Sequence, residues 1–78
     1  METFKIKDLV IGQSAVIIGY EAGDQSYKSK LLSLGLTKNT VVKLIKVAPL
    51  GDPIELEVRG FHLSLRKDEA GVILLKNA

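Results

Sequence analysis

At 78 residues the chain is long enough for one domain, residues 1–78, and too short for two. It is 46% hydrophobic and 26% charged, has no cysteine for disulfides or thiolate metal sites, and no apolar run near the ~20 residues that span a bilayer. Its net charge of +2 comes from interspersed residues of both signs, so nucleic-acid binding is not expected.

Residues 1–8 are polar with alternating charge and read as a loosely held lead-in. They carry neither the apolar segment nor the cleavage site of a signal peptide, so the expected location is cytoplasmic and the chain is not expected to be a membrane protein. Leu9-Val10-Ile11-Gly12-Gln13 follows, with Gly12 suited to a turn. Ser14 to Tyr20 is β-branched and apolar, hence a first strand, with Ala15 and Ile17 on one face and Val16 and Ile18 on the other. Gly19 allows a bulge.

After a polar connection, Tyr27, Leu31 and Leu34 fall at i, i+4 and i+7, the stripe of one short helix. Asp24 or Ser26 can serve as its N-cap, and Gly35 sits where a helix ends in the left-handed conformation. Lys28 and Lys30 lie off the stripe and should stay wet. Asn39 tolerates the left-handed region and suits a turn. Thr40 to Val47 is the second strand. Val42 and Leu44 keep one phase, Ile45 and Val47 the other, which predicts a bulge or a strand curving between two walls.

Ala48-Pro49-Leu50-Gly51-Asp52-Pro53 is a loop. Beyond it Ile54, Leu56 and Val58 alternate with Glu55, Glu57 and Arg59, and Phe61, Leu63 and Leu65 alternate with His62, Ser64 and Arg66. Two such runs around Gly60 predict a tight antiparallel hairpin with both apolar rows on one face. Lys67 to Gly71 is a short turn with room for one 3-10 turn, Val72 to Leu75 a last strand, and Lys76-Asn77-Ala78 a fraying end. The fold class is therefore mostly β: a small SH3-like barrel of about five strands, with one short helix inserted between the first and second.

Three segments carry a family resemblance: Leu31-Leu32-x-Leu34-Gly35-Leu36, Val47-Ala48-Pro49-Leu50-Gly51-Asp52-Pro53-Ile54, and Val58-Arg59-Gly60-Phe61-x-Leu63-Ser64-Leu65-Arg66-Lys67-x-Glu69-Ala70. In this order they resemble the ferrous iron transport protein A family, from Leu9 to Leu75. The proline-framed loop followed by the Arg-Gly-aromatic turn is the specific part. The resemblance implies an SH3-like barrel, of the type that also ends iron- and manganese-dependent repressors. It implies a small cytosolic accessory protein of bacterial ferrous iron uptake. The implied partner is a membrane-embedded ferrous iron permease, met through its cytosolic part, which carries a GTPase domain. The family often has Arg near Lys30, Met at Leu34 and Pro-Gly at Lys38-Asn39; where Lys30 stands, an arginine's bidentate contact is lost.

Catalysis has little to stand on. There is one His, no Cys and no phosphate-binding Gly-rich loop, so an enzyme is not expected. His62 with Glu55 or Glu57 offers a weak divalent-metal site for iron or zinc, and a solvated strand face with cross-strand pairs is the weightier reading. No cofactor is expected beyond that. Peptide recognition of the PxxP kind needs an aromatic-lined groove, which two Tyr, two Phe and no Trp can hardly build.

Leu50 stands between Pro49 and Gly51 at a loop tip, where a polar residue would cost less. It either meets a partner, which would gain ~1.5–3 kcal/mol, or folds back as a lid over the open end of the barrel. The candidate partner surface is thus Pro49, Leu50 and Asp52 of the loop with Lys28, Lys30 and Leu32 of the helix. An exposed Leu50 would serve a homo-oligomer equally well. The runner-up reading is a metal-binding regulator akin to the repressors' SH3-like domain.

Overall fold

The computed structural model describes residues 3–22 and 25–78, so Asp24, one of the two expected N-caps, lies outside it. The chain forms β1 (Ser14–Tyr20), α1 (Gln25–Ser33), β2 (Val41–Val47), β3 (Ile54–Val58), β4 (Phe61–Leu65), α2 (Lys67–Ala70) and β5 (Ile73–Asn77). All neighbours are antiparallel, in the order β4-β3-β2-β1-β5. The expected five strands and inserted helix are present.

Alternation builds the core. Ile54, Leu56 and Val58 of β3 face inward with Ala15 and Ile17 of β1, Val42 and Leu44 of β2, Leu65 of β4, and Ile73 and Leu75 of β5. Leu31 and Leu36 close the core from the helical side, both without exposed surface. Each large aliphatic side chain buried this way contributes ~1.5–3 kcal/mol.

Two bulges curve the sheet. β1 slips against β5 between Ile17 and Gly19, and β2 slips against β3 between Leu44 and Lys46. The second is the phase switch expected from Leu44 and Ile45. It lets Leu44 point inward while Lys46 stays exposed.

Helix α1 is short because its C-terminus is written into the sequence. Gly35 takes φ +89, its N–H donates to the Leu32 carbonyl at 3.0 Å, and the Leu36 N–H donates to the Leu31 carbonyl at 3.0 Å. That pair of bonds is a Schellman cap. The stripe docks through Leu31 alone, since Tyr27 is half-buried and Leu34 lies past the helix end, 38% exposed. Ser26 falls inside the helix rather than at its N-cap.

Five expectations are corrected. The lead-in is held: Phe4 exchanges backbone hydrogen bonds with Leu75 at 2.9 and 2.8 Å, a 3-10 turn spans Ile6–Asp8, and Ile6 and Leu9 are buried. The chain end does not fray at Lys76, because β5 continues to Asn77 and pairs Lys76 with Val16 and Asn77 with Ala15. The Lys67–Gly71 turn contains a turn of α-helix, α2. Finally Phe61, although opposite the buried Val58 on the apolar row, is 71% exposed, because β4 is the outermost strand, one strand further from the centre of the core than Val58. Arg59 also leaves the strand: with φ +50 it forms a two-residue turn with Gly60, φ +83, the type I′ pattern favoured in hairpins.

Candidate docking surface

The loop between β2 and β3 is rigid by construction. Pro49 presets its own φ, and the Gly51 N–H donates to the Ala48 carbonyl at 2.7 Å, closing a four-residue turn. The Ala48 N–H donates to the Pro53 carbonyl at 3.1 Å, tying the base. Gly51 sits at φ +85, which a side chain would resist. Leu50, at the tip, is 96% exposed, so it does not fold back as a lid.

Beneath the loop a cleft of about 550 Å³ opens beside Gly51. Ile6, Leu9, Leu44, Val47 and Ile54 supply its apolar lining, and Lys7 and Lys67 stand at it. Val10 and Ile11, 67% and 64% exposed, follow directly on the lining residue Leu9. Contiguous exposed apolar surface is the kind that serves as a contact site.

Helix α2 joins the loop to α1. At its first residue the Lys67 N–H donates to the Asp52 carboxylate at 2.9 Å. At its third, the Glu69 carboxylate accepts from Lys30 Nζ at 2.6 Å and from the Arg66 N–H at 3.1 Å. Glu69 is 7% exposed, and the Lys30 ammonium beside it, with the Arg66 N–H, holds its carboxyl below the usual carboxylate range. Asp52 and Lys30, both candidates for partner contact, therefore also hold the scaffold together.

The remaining candidates are placed as follows. Pro49 is exposed beside Leu50. Leu32 is 41% exposed on α1. Lys28 Nζ stands 6.0 Å from the centroid of the Tyr20 ring, at cation–π range.

His62 does lie opposite Glu57 in the β3–β4 register. Its Nδ1 is 2.8 Å from Glu55 Oε2 and its Nε2 3.8 Å from Glu57 Oε2. The carboxylates bracket the ring at its two nitrogens instead of converging on one point. Among the described residues no group of three or more His, Cys, Asp or Glu side chains is arranged to hold a metal ion.

Sequence reasoning passed over Glu69 and Arg59. The signal for Glu69 was its place three residues after Arg66, the spacing at which a carboxylate reaches back to an N-cap N–H. Arg59 reaches from the hairpin turn to Thr40 Oγ1 at 3.2 Å and Thr37 Oγ1 at 3.4 Å, and so satisfies Thr40, which is buried. That contact joins positions 19 and 22 residues apart, and no local pattern announces it.

Among the described residues no helix is long and apolar enough to cross a membrane. Comparison with known proteins gives a consistent result. Residues 4–77 match the FeoA domain. A solution structure of a FeoA-like protein from Clostridium acetobutylicum is 31% identical, with a TM-score of 0.88 over 99% of this chain and 88% of that one. The zinc-complexed FeoA of Stenotrophomonas maltophilia, described as a procaryotic SH3 domain protein, gives 0.80 at 22% identity, over 94% of this chain and 89% of that one, and so supports the SH3-like fold. A Porphyromonas gingivalis protein that fuses Fe(2+) transport protein A to the Fe(2+) transporter FeoB is 28% identical over 69 residues, 88% of this chain and 8% of that protein. The present chain thus spans a small fraction of that curated relative's length. With the match running along nearly all of its residues, this chain belongs to the FeoA domain family.

Proposed function

We propose that the chain is a non-enzymatic accessory module of bacterial ferrous iron uptake that docks on the cytosolic part of a ferrous iron permease. The observation that carries this reading is Leu50: 96% exposed on a turn fixed by three hydrogen bonds from backbone N–H groups, those of Gly51, Ala48 and Lys67. A preformed apolar contact loses little entropy on binding, and its burial contributes ~1.5–3 kcal/mol. The adjoining cleft and the exposed Pro49 and Leu32 extend the surface. In the Porphyromonas gingivalis fusion protein, a sequence similar to this chain is covalently joined to the transporter itself, which supports the choice of partner. The module acts by favouring one conformational or nucleotide-bound state of the permease, since a ligand shifts an equilibrium only through differential affinity.

Recovery of the permease from solubilised membranes, by tagged wild type and by Leu50→Asp, tests the reading. Wild type recovers the permease and Leu50→Asp does not. Equal recovery by both removes the loop from the interface, and recovery by neither removes the partner.

A further inference from the structure

Strand β2 outruns its neighbour β1. In their register Ser14 stands opposite Lys43. The last bonds on that side run from the Gly12 N–H to the Leu44 carbonyl at 2.7 Å and from the Leu44 N–H to the Gln13 carbonyl at 3.0 Å. On its other side β2 stays with β3 as far as Val47, which lies opposite Ile54. The Ala48 N–H donates to the Pro53 carbonyl, so those two form a hydrogen-bonded pair, and Val47 with Ile54, one step on, does not. The N–H and C=O of Val47 therefore point away from β3, past the place where β1 has ended.

That short open edge borders the cleft. Val47 lines it and is 38% exposed, beside Ile6, Leu9, Leu44 and Ile54. Its volume of about 550 Å³ falls within the roughly 300–1,000 Å³ of ligand sites. Three lysines, Lys5, Lys7 and Lys67, stand on its wall against one carboxylate, that of Asp68. Lys5 is paired with Glu21, while Asp8 and Asp52 accept the backbone N–H groups of Lys5 and Lys67. The Lys7 and Lys67 ammonium groups have no carboxylate partner among the described residues.

We propose that the cleft takes an extended, acidic and aliphatic segment of the permease's cytosolic part, laid as a short strand against Val47. This rests on the docking reading above and names the kind of segment that docks. The segment's backbone exchanges two hydrogen bonds with Val47, and an aliphatic side chain meets the apolar lining. Strand addition draws affinity from the main chain and selectivity from the pockets beside it. Carboxylates flanking the aliphatic residue meet Lys7 and Lys67, and a basic segment is turned away by the same pair.

Two end-blocked peptides, Glu-Val-Glu-Leu-Glu and Lys-Val-Lys-Leu-Lys, titrated into the full chain and followed by amide NMR, test the assignment. The acidic peptide should bind with a Kd on the order of 1 mM and slow exchange of the Val47 amide. The lysine peptide should bind at least ~10-fold more weakly. Lys7→Glu combined with Lys67→Glu, both at exposed positions, should reverse that preference, which mere loss of structure cannot do. It should also weaken permease binding ~10-fold with Leu50 intact. Lys67→Glu alone carries the test if the double variant does not fold. Equal binding of the two peptides, or a Val47 amide that the acidic one leaves unmoved, would overturn the assignment. So would binding of sodium octanoate but of neither peptide, which would give the cleft to a small aliphatic carboxylate. Full permease recovery by the charge-swapped chain, with none by Leu50→Asp, would overturn the cleft assignment and leave the docking reading standing. Acidic-peptide binding with no permease recovery by wild type would do the reverse.

Discussion

Lys30 Nζ lies 2.6 Å from Glu69 Oε2, so a lysine of α1 is tied to a nearly buried carboxylate of α2, 39 positions on. Because Asp52 holds the first N–H of α2, this one turn of helix fastens the loop on one side and α1 on the other. A four-residue element, with Glu69 and Ala70 buried, therefore links the loop that carries Leu50 to the α1 surface.

Glu69→Gln tests that fastening through pH. The Glu69 carboxyl is held below its ordinary value of 4.5, first by the Lys30 hydrogen bond and then by the Arg66 N–H. A depressed native pKa contributes stability that is present above the unfolded value and is lost as pH falls through the native one. Wild type should therefore lose stability below about pH 4.5, whereas Glu69→Gln should lack that component. At neutral pH the substitution should cost ~1 kcal/mol, since the Lys30 side chain is half in water. Urea denaturation of both proteins at about pH 7 and about pH 3.5 supplies the comparison, and parallel pH profiles would refute the role given to the pair.

Two glycines should respond oppositely to alanine. Gly35 sits at φ +89, where Ala is strained by ~1–2 kcal/mol, although the nearest atom to its Cβ, Arg59 Nη1, would stand at an acceptable 3.5 Å. Gly19 has no positive φ, and a Cβ added there would meet nothing within 4 Å, so Gly19→Ala should be neutral or stabilising by up to ~1 kcal/mol. Equal destabilisation by both, in thermal unfolding, would contradict the backbone assignment.

Among the described residues Leu31 is the one helical residue without exposed surface, and Leu31→Ala should cost ~2–5 kcal/mol. In a domain of this size that is a large share of the total stability. A loss under ~1 kcal/mol would mean that α1 is not docked through Leu31.

The fold was legible wherever a local rule had a single outcome. Alternation set β3 and β4, Gly35 ended α1, Asn39 took φ +72, and the phase change after Leu44 marked a bulge. Where outcomes depended on distant chain, sequence reasoning failed. Residues 1–8 looked polar and loose because their charges alternate, yet the pairing of Phe4 with Leu75 and the burial of Ile6 against the core hold that segment. Phe61 obeyed the period-two rule and still lies in water, since alternation gives the face of a strand and not the extent of the core behind it. At the candidate surface, Leu50 stood out by its cost at a loop tip. The double duty of Lys30 and Asp52 did not, because both partners, Glu69 and Lys67, arrive from α2.

The central claim concerns Leu50, and it separates binding from folding. Leu50→Asp should leave the unfolding midpoint of the isolated chain unchanged, because a residue 96% exposed has no packing to lose. The same substitution should weaken titrated binding to the detergent-solubilised permease by ~10- to 100-fold, the equivalent of ~1.5–3 kcal/mol. Unchanged affinity with an unchanged midpoint would contradict the account.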